Sequence, residues 1–298
     1  MTKLFSLTKR NVKLFFKDKG MFFSSLVTPI ILLVLYALFL ANMYRDSFTT
    51  GLPEGFVLDE SIIEGLVAGQ LMSSILSVSC VTVAFCSNFL MVQDKVNGTI
   101  KDLKMTPTKS STLSLSYYLS TLFSTLLICF VATAICLIYV ATAGWYMSFV
   151  DVLLLFLDVL VLVLFGTALS SVVNFFLSSQ GQISAISSIV TAGYGFVCGA
   201  YMPIASFSPV IQKIALFLPG TYGTSLIRNH SLNGVFNKMS EQGLSTELID
   251  GMKSSLDCNL DFFGSDVSVL AMYLVLIGTV ALLLGAYVLL NKFKKKSK

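Results

Sequence analysis

The sequence predicts an all-α membrane protein with six transmembrane helices, an N-terminal amphipathic interfacial helix, and re-entrant helices before the last span. Three observations carry this expectation. Of 298 residues, 55% are hydrophobic and 12% charged, which leaves too little polar surface to cover a soluble core. Apolar runs recur at about 20 residues, the length at which a helix rising about 1.5 Å per residue crosses the hydrocarbon. The charges are also segregated: fifteen of the twenty Lys and Arg lie in the first nineteen residues, the loop 93–109 and the tail 291–298, beside only Asp18, Asp94 and Asp102. Excess Lys and Arg mark the cytoplasmic side. The stretches 45–64 and 228–266 hold eleven acids against four cations and belong outside. Both termini are therefore expected in the cytoplasm of a multi-pass protein of the cell membrane. The basic ends report topology, and no nucleic-acid partner is expected.

Residues 1–20 open the chain with Leu4, Phe5, Thr8, Val12, Phe15 and Phe16 on one helical face and Lys3, Lys9, Arg10, Lys13 and Lys17 around the rest. That pattern is an interfacial helix lying on the bilayer. A secretory signal is the competing pattern, but the following apolar run is too long and no A-x-A site follows it. The first span covers 21 to about 44 and contains Pro29, which places a kink there. The second runs 66–92, the third about 116–141 and the fourth 152 to about 176, with Trp145 and Tyr146 at the interface between the last two. The fifth starts near Ile183 and reaches Tyr201. Beyond it, Pro203, Pro209 and Pro219 cut an apolar stretch into pieces too short to cross, so 203–227 is expected to be re-entrant. A polar outer segment, 228–266, precedes the sixth span at 267–290. The whole chain, 1–298, reads as one transmembrane domain.

The loop 93–109 carries the most specific pattern. Asp94 is followed by Gly98-Thr99, then Leu103, then Pro107. Gly98 can end one helix, Thr99 can cap the next, and Pro107 stops it, which presents a short helix at the cytoplasmic side. The alternative is an ordinary polar loop with helix punctuation. This spacing resembles that of ABC-2-type export permeases, where the acid is usually Glu and Asp94 is one methylene shorter. The basic N-terminal helix resembles the family's connecting helix. Gly199 to Pro203, with Pro209, Pro219 and Tyr222, resembles its re-entrant region. The outer segment is longer than in the polysaccharide exporters of the family, which points away from that cargo.

The resemblance implies a permease subunit that moves cargo outward by alternating access, powered by a separate ABC ATPase subunit on which ATP and Mg would bind. This chain would carry no cofactor and no catalytic residue. A second copy, or a related permease, would complete the membrane part, and the lipid bilayer is its solvent. Asp94, Gly98, Thr99, Leu103 and Pro107 would couple to the ATPase; Pro203, Pro209, Pro219 and Tyr222 would form the outer gate. The second and fifth spans would line the cavity, with Ser77, Phe85, Tyr194 and Phe196 as candidate contacts. Few fixed charges in the spans suggest a lipophilic or amphipathic cargo: a drug, a lipid-like metabolite or a hydrophobic peptide.

Other features have structural alternatives beside the functional ones. Ser73, Ser77, Cys80 and Ala84 form a small-residue ridge, and Gly195 and Gly199 a GxxxG, either of which serves packing within one subunit or between two. Asp158 is the one acid well inside a span: a cavity-facing or proton-handling group, a partner for Lys213, or an acid near the headgroups. No G-x-x-x-x-G-K-[ST], G-x-S-x-G or H-E-x-x-H occurs, so neither an ATPase nor a hydrolase site is written in the chain. Six cysteines without a CxxC pair, beside one His, make a metal site improbable. The competing functions are an ion-gradient-driven transporter and a non-transporting membrane sensor.

Overall fold

The computed structural model describes residues 2–50 and 58–296. Part of the predicted outer stretch 45–64, and the last two residues of the basic tail, lie outside the described residues. The fold is a helical bundle around one central helix, α4 (Glu60–Val96). At 37 residues α4 is about 55 Å long and overruns a bilayer core of about 30 Å. It is buried on every side, which is why its composition shows no polar face.

α1 (Thr2–Lys17) and α2 (Lys19–Leu35) meet at a bend of 72°, where the Asp18 side chain accepts the Met21 N–H and caps α2. A π-helical turn, Tyr36–Leu40, joins α2 to α3 (Ala41–Thr50). After α4 come the short α5 (Thr99–Met105), α6 (Ser110–Ala143), α7 (Phe149–Phe176) and α8 (Gln180–Val197). A 3-10 turn (Ile204–Ser206), α9 (Pro209–Leu216), α10 (Pro219–Glu241) and α11 (Thr246–Ser255) come next. An antiparallel hairpin of β1 (Leu260–Asp261) and β2 (Asp266–Val267) leads to α12 (Val269–Lys296).

α4, α6, α7 and α12 are each long and apolar enough to cross a membrane, and α1 with α2 would add a fifth as one bent pair. The predicted fifth span corresponds to α8, whose 18 residues reach about 27 Å and whose first turns carry Gln and Ser. Apolar side chains left outside the bundle face outward in stripes, such as Phe123, Leu127, Val131 and Ile135 on α6. In water such a stripe is a liability; in lipid it is the solvated surface.

α7 packs along α4 where Gly166 lets the backbones approach: a Cβ there would lie 2.8 Å from the Cys80 carbonyl and 3.3 Å from Ala84. The small-residue ridge on α4 is thus an internal seam. Asn88 donates to the Ser170 and Ser171 hydroxyls at 3.1 and 3.0 Å, and Lys95 closes the end of α7 on the carbonyls of Asn174, Phe175 and Leu177.

α10 departs most from expectation. It runs unbroken across residue 228, where the sequence suggested the change from re-entrant region to outer segment, and most of it is buried between α4, α7 and α12. Several of its polar residues are satisfied within the helix, as Thr224 on Gly220 O and Ser231 on Ile227 O, or across it, as Asn233 on Asp151 at 2.9 Å. Asp151 in turn forms a capping box with Ser148 at the start of α7.

Candidate functional site

One wall of a cavity of about 880 Å³ is built by the π turn in the first apolar segment. There the Ala41 N–H reaches back five residues to Tyr36 O, which widens the helix and rotates the turns after it. Tyr36, Tyr44 and Phe48 consequently stack as a ladder, with successive ring centroids 5.9 Å apart and planes within 24°. The Tyr36 hydroxyl is held by Val67 O on α4. The facing wall comes from Leu71, Ser74 and Ile75 of α4 and from Thr191, Ala192 and Phe196 of α8. Tyr201 to Pro203, with Met252 of α11 and Leu256 just past its end, close the third side. Among the described residues, no Asp, Glu, Lys, Arg or His lines this space. Rings and aliphatic groups there can hold a lipophilic molecule by area and stacking, with no fixed charge to neutralise an ion.

Of the expected cavity residues, Phe196 lines this cavity and packs edge-on against Tyr201. Ser77, Phe85 and Tyr194 do not. Ser77 is fully buried with its hydroxyl on Ser73 O, and Phe85 is in the core, because α7 and α10 cover the parts of α4 that would otherwise face the cavity. Tyr194 points inward over Gly220, where any Cβ would strike its hydroxyl. Tyr36, Phe39, Met43 and Tyr44 also line it, residues the sequence had not singled out. Their signal, a stripe at i, i+3, i+7 and i+8 along the first apolar run, was present in the sequence.

The three prolines mark starts. Pro203 precedes the 3-10 turn and lines the cavity, while Pro209 and Pro219 are the first residues of α9 and α10, where a missing N–H costs nothing. The Tyr222 hydroxyl donates to Leu216 O at 2.6 Å and Thr221 to Ala215 O at 2.7 Å, folding α9 back on α10. Gly195 and Gly199 do not make a helix-to-helix seam. Gly195 leaves room for the Tyr201 ring, and Gly199, at φ 73°, ends α8 in the left-handed region that favours glycine.

Asp158 is buried, and its partner is not Lys213. One carboxylate oxygen meets His230 Nδ1 of α10 at 2.6 Å and the other accepts from the Tyr273 hydroxyl of α12. Lys213 instead lies over the Phe263 ring at 5.7 Å. The acid ties three helices together through the chain's single His, a partner 72 residues away that no local pattern reveals.

At the far end of α4, Asp94 is buried and accepts from Arg10 Nη1 at 2.9 Å and from the Tyr117 hydroxyl at 2.5 Å, which pins α1 to α4 and α6. Gly98 comes next at φ 81°, reversing the chain into α5. Thr99 is the first residue of that helix and Gly98 occupies the cap, so the capping role expected of Thr99 falls one residue earlier. α5 stops at Met105; Thr106 bonds back to Leu103 O, and Pro107 O receives Lys3 Nζ at 3.0 Å. Leu103 is half-buried and packs toward the bundle together with Ile100, whereas Met105 projects with 84% of its surface exposed. α1, α5 and the end of α12 share this end of the molecule, the last through Ser114 on Asn291 at 2.7 Å.

The family model of the ABC-2 type transporter matches residues 2–230, from α1 into α10. The chain belongs to this family. No curated protein matches the chain. As an ABC-2 permease it is a multi-pass membrane protein and the membrane component of an ABC transporter, a kind of assembly in which a partner ABC ATPase hydrolyses ATP. The matched region contains the cavity walls of α2 to α4 and α8 and all of α5; α11, the hairpin and α12 lie beyond it.

Proposed function

We propose that this permease exports an uncharged lipophilic or weakly amphipathic cargo through the cavity between the π turn, α4 and α8. Support comes above all from the course of α4. The same continuous helix lines the cavity at Ser74 and ends beside α5 at Val96, about 33 Å further on. A push on α5 is therefore a push on the cavity wall. In this mechanism α5 is the coupling helix, docked in a cleft of the ATPase, which binds ATP and Mg. ATP binding closes a pair of ATPases, α5 moves, and α4 carries the displacement to the cavity, shifting an equilibrium between inward- and outward-open states. Prolines 203, 209 and 219 with Tyr222 build the outer gate, in which α9 enters and leaves on one side.

The chain crosses the cell membrane six times, with α2 through α3 as the first span and α8 as the fifth; α1 lies along the cytoplasmic surface. Both termini and α5 face the cytoplasm, and α11 faces outward. A second copy or a related permease completes the pathway. Mild-detergent extraction of the tagged chain is expected to bring an ABC ATPase with it. A membrane-impermeant maleimide added to intact cells is expected to leave a Gly98→Cys variant unlabelled. Labelling of that thiol from outside would overturn the topology, and movement of a neutral dye driven by an ion gradient without ATP would favour a secondary transporter.

A further inference from the structure

Arg228 of α10 is fully buried, two residues from the His230 that binds Asp158, and it faces a different neighbour. Its Nη1 donates to Leu256 O at 2.7 Å and to Asp257 Oδ2 at 3.1 Å, and its Nη2 donates to Gly199 O at 2.8 Å. Asp257 reaches the same turn from the other side: its carboxylate accepts the backbone N–H of Ile204 at 2.6 Å and of Ala205 at 3.2 Å. Asn229 and Ser225 of α10 add bonds to Cys258 O at 2.6 and 3.2 Å. Burial pushes the Asp257 carboxyl up, opposed by Arg228 and by the two amides.

One guanidinium and one carboxylate thus join three segments distant in sequence: α10, the end of α11, and the turn 199–206. The last two are the outer wall of the cavity, through Met202, Pro203, Met252 and Leu256. Gly199 has no side chain for a reason visible here, since a Cβ would lie 2.7 Å from Ile204 and 3.1 Å from the Asp257 carboxylate. Across the cavity the opposing wall offers Phe39, Met43 and Phe48 beside the rings of Tyr36 and Tyr44, and the Tyr36 hydroxyl is already taken by Val67 O of α4.

We propose that Arg228 and Asp257 are positioning residues that clamp the turn 199–206 to α11, so that the two move as one lid and the cavity opens along its apolar seam with the π-turn wall. Apolar packing would suffice to cover a cavity. A buried charge pair that also caps two amides fixes the orientation of one segment on the other, because each bond is directional and costly to leave unmade. The clamp lies outside the ATPase-coupling end and holds whatever the cargo is.

Hydrogen exchange on the intact protein in nanodiscs tests the joint motion without a substitution. Amides of 199–206 and of α11 are expected to open together, and a difference between them of more than about tenfold would overturn the clamp. Two variants then separate positioning from stability. Asp257→Asn is expected to raise labelling of a Ser74→Cys thiol by an impermeant maleimide about tenfold over the parent, since local opening exposes the cavity. The six native cysteines are buried, and burial pushes the Cys258 thiol up to about 12, so background is low. The double variant Arg228→Met/Asp257→Leu leaves no unpaired charge and is expected to stay folded, yet to label as fast as Asp257→Asn because the Ile204 and Ala205 amides remain uncapped. Parent-like labelling in the folded double variant would contradict the proposal.

Discussion

Met105 and Leu103 sit two residues apart on α5 and face opposite ways, which separates coupling from folding in one pair of variants. Met105 is 84% exposed in the isolated chain, so Met105→Asp changes nothing that holds the bundle together. If α5 docks in an ATPase cleft, that side chain is the apolar group with most surface to bury. Burying a methionine contributes about 2 kcal/mol, so its loss weakens docking about 30-fold, and a carboxylate forced into the cleft adds a desolvation cost. The expected result is unchanged thermal stability of the permease, with cargo-stimulated ATP hydrolysis and transport in reconstituted vesicles reduced at least to that extent. Leu103 is half-buried against the bundle, and Leu103→Ala removes packing worth about 1–2 kcal/mol, so it loosens α5 and lowers stability first. Wild-type coupling in a folded Met105→Asp variant would refute docking through this face of α5.

Removing Asp158 leaves the buried His230 and the half-buried Tyr273 without their partner, so Asp158→Ala is expected to cost about 3 kcal/mol and lower the unfolding temperature, read by differential scanning fluorimetry in detergent. An unchanged melting curve would show that the cluster holds nothing together. Asp94→Ala deprives Arg10 and Tyr117 of their common acceptor, so α1 is expected to detach from the bundle and its amides to exchange faster while the spans stay protected. In the cavity, Tyr44→Ala removes the middle ring of the ladder, and binding of a neutral fluorescent lipophile is expected to weaken by about 1–2 kcal/mol, roughly tenfold, with a cationic dye bound weakly by both proteins.

Local physics was legible in the sequence, and long-range pairing was not. The uninterrupted apolar runs of α6, α7 and α12 follow from length and composition alone. Gly98 and the prolines that open α9 and α10 act within a few residues, so their positions could be read directly. α10 is the opposite case: it is polar yet buried because neighbours cover it on several sides, and no periodicity in its own residues announces that. The partners of Asp158 and Arg228 lie 28 to 115 residues away, and the lysine nearest in expectation found an aromatic ring instead. The cavity escaped because it is assembled from segments far apart in sequence: Tyr36, Phe39, Met43 and Tyr44 share one face even at regular helical spacing, but the residues they meet, among them Leu71, Phe196 and Leu256, are not local to them. In the loop 93–109 the pattern located the short helix α5, but half-burial of Leu103, set by packing against the bundle, left Met105 as the projecting group.

The central claim is that an external ATPase drives cargo through this chain by way of α5 and α4. Its most direct measurement is uptake of a neutral fluorescent lipophile into inside-out vesicles holding the permease and its copurified ATPase, with either intact ATPase or one that binds but cannot hydrolyse ATP. Sustained uptake is expected only with ATP, Mg and the intact ATPase, and to fall with Met105→Asp. Equal uptake with the inactive ATPase, or with no ATPase present, would contradict the account.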